Sequence, residues 1–82
     1  MRIVFSGHAH KQLVERNISP TVVRKTVERP TKIIEQYPRR YRAVRAFQKK
    51  KKPHLLVVIY DATETTYDIV TAFITSKIEK YL

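Results

Sequence analysis

His54-Leu55-Leu56-Val57-Val58-Ile59-Tyr60-Asp61 is the stretch that decides the fold. Five apolar residues follow one another with no polar residue between them, which suits a central strand covered on both faces rather than a half-buried one. On its C-terminal side, Ala62 to Thr66 is a polar turn. Tyr67 to Ser76 then alternates, with Val70, Ala72 and Ile74 on one side and Ile69, Thr71, Phe73 and Thr75 on the other. On its N-terminal side, Tyr41 to Gln48 alternates imperfectly and runs into a lysine turn and Pro53. Before that, Thr31 to Tyr37 reads as a strand closed by Pro38-Arg39-Arg40. The connections are short, so neighbouring strands are expected to be antiparallel.

Upstream, the spacing turns helical. Arg2 to Phe5 is a short strand or an extended lead-in, and a helix is expected from about Ser6 to Arg16. On an ideal wheel Ala9, His10, Leu13 and Val14 share one side and His8, Lys11 and Glu15 the other. Asn17 stands where that helix ends, since asparagine tolerates the left-handed conformation of a cap. Ser19-Pro20 opens a second helix, a hydroxyl N-cap followed by proline at the first helical position. Val22, Val23, Thr26 and Val27 form its apolar face, Arg24 and Glu28 are spaced to pair, and Pro30 ends it. Both helices are too short to stand alone and need a larger surface to pack on. The expected architecture is a single α+β domain over residues 1–82. Two N-terminal helices would pack on one face of a four-stranded antiparallel meander sheet and leave the other face at least partly open.

Composition narrows the function. The 82 residues contain no cysteine, which removes disulfides and thiolate metal sites. The opening residues are too short an apolar run for a signal peptide, and no run approaches the ~20 residues that span a bilayer, so a cytoplasmic protein without membrane contact is expected. The formal net charge is +10. From Lys32 to Lys52 nine lysines and arginines face one acid, Glu35. Tyrosine, alanine, valine and phenylalanine are interleaved, so this is a strand carrying cations, not a disordered basic tail. Such a field attracts polyanions because each neutralised phosphate releases condensed counterions, which makes RNA the first partner to consider. The bland reading is a solvated basic face that keeps a small protein soluble.

Phe5-Ser6-Gly7-His8-Ala9, Arg16-Asn17-Ile18-Ser19, Val22-Val23 and Pro30, with Leu56-Val57-Val58 and Val70-Thr71-Ala72-Phe73 later, resemble a small uncharacterised domain family with an N-terminal His-Ala motif. That family is similar to the RelE, colicin D and EndoU-like ribonuclease toxins. Here Asn17 replaces the usual glycine, and Gln12 stands where arginine is common. The resemblance implies a RelE-like fold and a metal-independent endoribonuclease of the toxin–antitoxin type, with RNA as substrate, an acidic antitoxin protein as partner, and neither metal nor small-molecule cofactor. The alternative is a non-catalytic basic binding module for RNA or for an acidic protein.

Metal-free RNA cleavage requires a base for the 2′-hydroxyl, an acid for the leaving 5′-oxygen and cations for the charge on phosphorus. His8, in the first turn of a helix whose positive end favours a neutral imidazole, is the candidate acid or base, with a capping role as the plainer reading. His10 reads as a core histidine and His54 as an exposed one. Arg42 and Arg45 are three apart on one strand and point to opposite faces, so only one serves the open side. Either is a candidate catalytic cation together with Lys77. Arg39, Arg40 and Lys49, Lys50, Lys51 and Lys52 are candidates for gripping phosphate. Thr71 and Thr75 are further phosphate candidates, Phe73 would stack a base, and Tyr81 is a site candidate beyond them; strand formers and an amphipathic tail are the plainer readings. Asp61, Glu64 and Asp68 match no metal loop and are expected to balance nearby arginines.

Overall fold

In the computed structural model, which describes all 82 residues, β4 (Lys52–Ala62) is the middle of a sheet ordered β1-β5-β4-β3-β2. Leu55, Leu56, Val57 and Val58 are all buried, so consecutive residues are covered on opposite faces. Around β4 lie β1 (Arg2–Phe5), β2 (Lys32–Tyr37), β3 (Arg40–Lys49) and β5 (Thr66–Thr75). The three helices are α1 (Gly7–Glu15), α2 (Pro20–Glu28) and α3 (Ile78–Tyr81), and none is long and apolar enough to cross a membrane.

This overturns the expected RelE-like unit of two N-terminal helices on a four-stranded antiparallel meander. The sheet has five strands and is mixed, because β1 pairs in parallel with the start of β5, from Arg2 beside Thr66 to Phe5 beside Ile69. Four residues are too few to display an alternation, and the partner lies at the far end of the chain. The cover is also different. Leu55, Val57 and Val44 form a second, smaller core beneath Ile78 and Tyr81 of α3, so the side away from α1 and α2 is not open there. Lys32 donates to the Leu82 carbonyl at 2.8 Å and ties the segment after α3 to the edge strand β2.

The main core joins Ala9 and Leu13 of α1, Ile18, and Val23 and Val27 of α2 to Ala43, Leu56, Val58, Tyr60, Ile69 and Ala72 of the sheet. Ser6 caps α1 by accepting from the Ala9 amide, and Ser19 caps α2 by accepting from the Thr21 amide. Asn17 takes φ 55° where the chain turns between the helices. Several expected faces shift. His10 and Val14, placed with the core by the wheel, are exposed, Val14 to 69%, because the narrow contact with the sheet is filled by Ala9 and Leu13 alone. Val22 is 41% exposed. Arg24 lies 5.2 Å from the Phe5 ring centroid instead of pairing with Glu28. In β5 the register passes from Ile59 opposite Thr71 to Tyr60 opposite Ile69, so Val70 is an extra residue. That bulge moves Ile69 onto the face of Ala72, away from Thr71 where strict alternation had put it.

Candidate nucleic-acid interface

One turn of α1 separates His8 from Gln12, and another separates Gln12 from Arg16, so three polar side chains form a stripe along one side of the helix. The stripe lies against the part of β5 that β1 does not cover. Arg16 Nη1 donates to the Ala72 carbonyl at 2.8 Å, satisfying an edge group of the sheet, and to Thr71 Oγ1 at 2.9 Å. Thr71 in turn donates to Gln12 Oε1 at 2.8 Å. The Gln12 amide nitrogen sits 3.1 Å from His8 Nε2 and can only donate, so Nε2 accepts and a neutral His8 carries its proton on Nδ1. Donation therefore runs one way, from Arg16 through Thr71 and Gln12 to an exposed imidazole. Bonds in such a row polarise one another.

Two grooves open beside this row. The first, about 470 Å³, lies between the α1–α2 turn and β3 and includes Ser19, Val22, Lys25, Arg45, Phe47 and Ile74. The second, about 560 Å³, includes Arg16, Lys49, His54, Thr75 and Ser76. They share Ile18 and Ile74. Together they carry four lysines and arginines and no carboxylate. His54 is half-buried rather than merely exposed. Its Nδ1 lies 3.0 Å from the Lys52 carbonyl, which can only accept, so neutral His54 has Nε2 free as an acceptor.

The hairpin tips carry cations under conformational strain. Lys50 and Lys51, at the β3–β4 turn, have φ of 51° and 63°, the pair of positive angles that an Asn-Gly turn adopts most easily. Arg39 follows Pro38 with φ 68°, a place where glycine or asparagine is favoured. The two tips sit at opposite ends of β3, with Arg40 paired to Asp61 and Lys49 to Lys52.

The candidate residues are distributed as follows. Arg45 lies on the face of α1 and α2 and reaches the first groove. Arg42 lies on the other face, 5.7 Å from the Tyr81 ring centroid, and its buried Nε has no partner. Tyr81 also makes an edge contact with Phe73, at 5.4 Å between centroids, so these two rings are engaged with each other. Arg40 grips Asp61 with Nε at 2.6 Å and Nη2 at 2.7 Å and rests against Tyr37. That grip holds the Asp61 carboxyl below the usual carboxylate range and raises the guanidinium still further above neutrality. Lys77 is exposed at the start of α3, its amide bound to Thr75 Oγ1. His8 makes no direct hydrogen bond with Arg42, Arg45 or Lys77; its partner is Gln12. Gln12 and Arg16 are the functional candidates that sequence reasoning missed, although the spacing 8, 12, 16 of hydrogen-bonding side chains was the available signal.

A family model described as "Domain of unknown function (DUF4258)" matches residues 5–74. The chain belongs to the DUF4258 family. The match takes in the whole row from His8 to Thr71 and the shared groove residues Ile18 and Ile74, while α3 and Lys77 fall outside it. No curated protein and no solved structure matches this DUF4258 chain.

Proposed function

We propose that this DUF4258 domain binds RNA through its basic grooves and the lysine turn and cleaves it as a metal-independent endoribonuclease. The kinship of its family with the RelE, colicin D and EndoU-like toxins belongs to the same proposal, as does an acidic antitoxin protein as partner. The single observation that supports it most is the directed row ending at His8. An exposed imidazole whose Nε2 accepts from a fixed amide is a base of defined tautomer.

In the proposed reaction a ribose 2′-hydroxyl displaces the Gln12 amide from His8 Nε2, and that nitrogen takes the hydroxyl proton. O2′ attacks phosphorus, the bond to O5′ breaks, and Lys77 delivers a proton to O5′, leaving a 2′,3′-cyclic phosphate and a 5′-hydroxyl. Arg16 has only Nη1 bound to protein, so its remaining N–H groups are free for the non-bridging oxygens. Arg45, Lys49 and the turn lysines hold neighbouring phosphates.

The test is incubation of the 82-residue protein with mixed RNA in EDTA, alongside His8→Ala. Cleavage to cyclic phosphates by the parent and not by the variant is the expected result. Intact RNA in both tubes with binding retained would leave a non-catalytic RNA module. About five engaged phosphates of single-stranded RNA give a slope of log K against log salt near −3.5. A slope near zero would remove RNA as the partner of the basic face.

A further inference from the structure

We propose that the groove between the α1–α2 turn and β3 is a pocket for one unpaired nucleobase, so that the domain selects single-stranded over duplex RNA. The inference rests on the RNA reading above and adds to it which form of RNA is taken and where its base goes.

A surface that only grips phosphate has no use for an apolar floor. This groove has one, made by Ile18, Val22, Phe47, Leu56 and Ile74, and it is bordered by Arg45 and Lys25. Val22 and Ile74 each remain 41% exposed, in a chain that otherwise covers the apolar face of α2. Exposed apolar area beside unpaired cations, with no carboxylate in the lining, matches a ligand that is flat and apolar on its faces and anionic on either side. An unstacked base with its two flanking phosphates has that form. In a duplex the base faces are already stacked, and only the phosphates could be engaged.

The neighbouring groove gives the strand somewhere to continue. Phe47 of the first groove and His54 of the second form a tilted aromatic pair with centroids 5.9 Å apart. Ile18 and Ile74 floor both grooves. A base seated against Phe47 and Ile74 therefore places the next phosphate beside Lys49 and Arg16, and Arg16 begins the row that leads to His8. The occupant is thus an extended single strand. A second class of occupant, an acidic protein segment, would use the same cations and is separated by the experiment.

The experiment is fluorescence anisotropy of the full chain with three labelled 2′-O-methyl oligonucleotide probes: a single strand, a blunt duplex containing that strand, and an abasic strand of equal length. The 2′-O-methyl group removes the nucleophile, so binding is read whether or not the protein cleaves RNA. The single strand should bind about tenfold tighter than the abasic strand, and it should also bind tighter than the duplex. Ile74→Ser and Val22→Ser, at exposed positions and checked for native circular dichroism, should each weaken single-strand binding about fivefold while leaving the abasic strand unaffected. Arg45→Gln should instead flatten the single-strand salt slope by about 0.7. Equal affinity for all three probes, or folded Ile74→Ser and Val22→Ser proteins that bind like the parent, overturns the pocket and leaves the phosphate-gripping reading intact. Displacement of the single strand by poly-glutamate but not by unlabelled abasic strand overturns it in favour of an acidic protein partner. Failure to bind any of the three probes removes the RNA reading itself.

Discussion

Arg16 and Thr71, 55 residues apart in the chain, are joined by a 2.9 Å hydrogen bond that ties the end of α1 to the uncovered edge of β5. The same guanidinium nitrogen holds the Ala72 carbonyl, so one side chain both closes a sheet edge and starts the row that ends on His8. Thr71 is the only member of that row supplied by the sheet.

The row makes a specific demand on Thr71. Thr71→Val keeps the β-branched shape and removes the hydroxyl that relays between Arg16 and Gln12. In the RNA-cleavage assay it should lower kcat about tenfold with KM changed less than twofold. Thr71→Ser should restore the rate. Equal loss in both variants would place the effect in packing rather than in the relay.

The lysine turn separates folding from binding. Lys50→Asn combined with Lys51→Gly relieves two left-handed residues, so stability should rise by about 1 kcal/mol. The same change removes two cations, and the RNA salt slope should flatten by about 1.4. Urea unfolding and salt-titrated binding on the one variant read both effects. Their opposite directions identify residues kept for charge at a cost in stability.

Asp61 gives stability a dependence on acid. Its hydrogen bonds from Arg40 depress its folded-state pKa, so its contribution is fully present above the unfolded value of about 3.9. The contribution is lost as pH falls through the lower folded value. Asp61→Asn should therefore unfold at lower urea than the parent at pH 7, with the gap closing as the pH is taken below about 4. The pair is partly exposed, 28% for Arg40 and 41% for Asp61, so added salt should also shrink the gap.

Neighbouring residues of α1 should respond differently to truncation. Leu13 is buried between α1 and the sheet, and Leu13→Ala should cost about 3 kcal/mol through lost burial and the cavity left behind. Val14, 69% exposed, should lose no more than about 0.5 kcal/mol on change to alanine. Chemical denaturation of the two variants tests the observed face of α1 directly.

The alkaline side has its own signature. Burial raises the Tyr60 phenol, and the Glu35 charge raises Tyr41, which stands opposite Glu35 across β2 and β3. Folded-state values above the unfolded value of about 10 mean that this stability is intact below pH 10 and is lost as the pH rises through the folded values. Absorbance titration at about 295 nm should show these two phenols ionising above the unfolded value of about 10.

Much of this was legible in local patterns. Five consecutive apolar residues marked β4, Ser19-Pro20 marked the start of α2, and Asn17 marked the turn between α1 and α2. The concentration of cations from Lys32 to Lys52 was visible without any structure. Each of these depends on residues within one or two turns of one another, where backbone preference and periodicity act.

Other features were decided only when distant segments met. Sequence placed Arg42 and Arg45 on opposite faces, but packing of α1, α2 and α3 determined which face each one served. One extra residue at Val70 moved Ile69 into the main core, because side chains in a strand change face at every step and a single bulge reverses the count. The parallel seat of β1, the cover that α3 lays over Val57, and the approach of Thr71 to Arg16 all join residues whose sequence neighbours carry no trace of the partner. The sequence by itself thus determined β2 to β5, the start of α2 and the charge of this protein. Tertiary structure decided which side chains share a site, because proximity across the sheet is set by register and burial rather than by spacing along the chain.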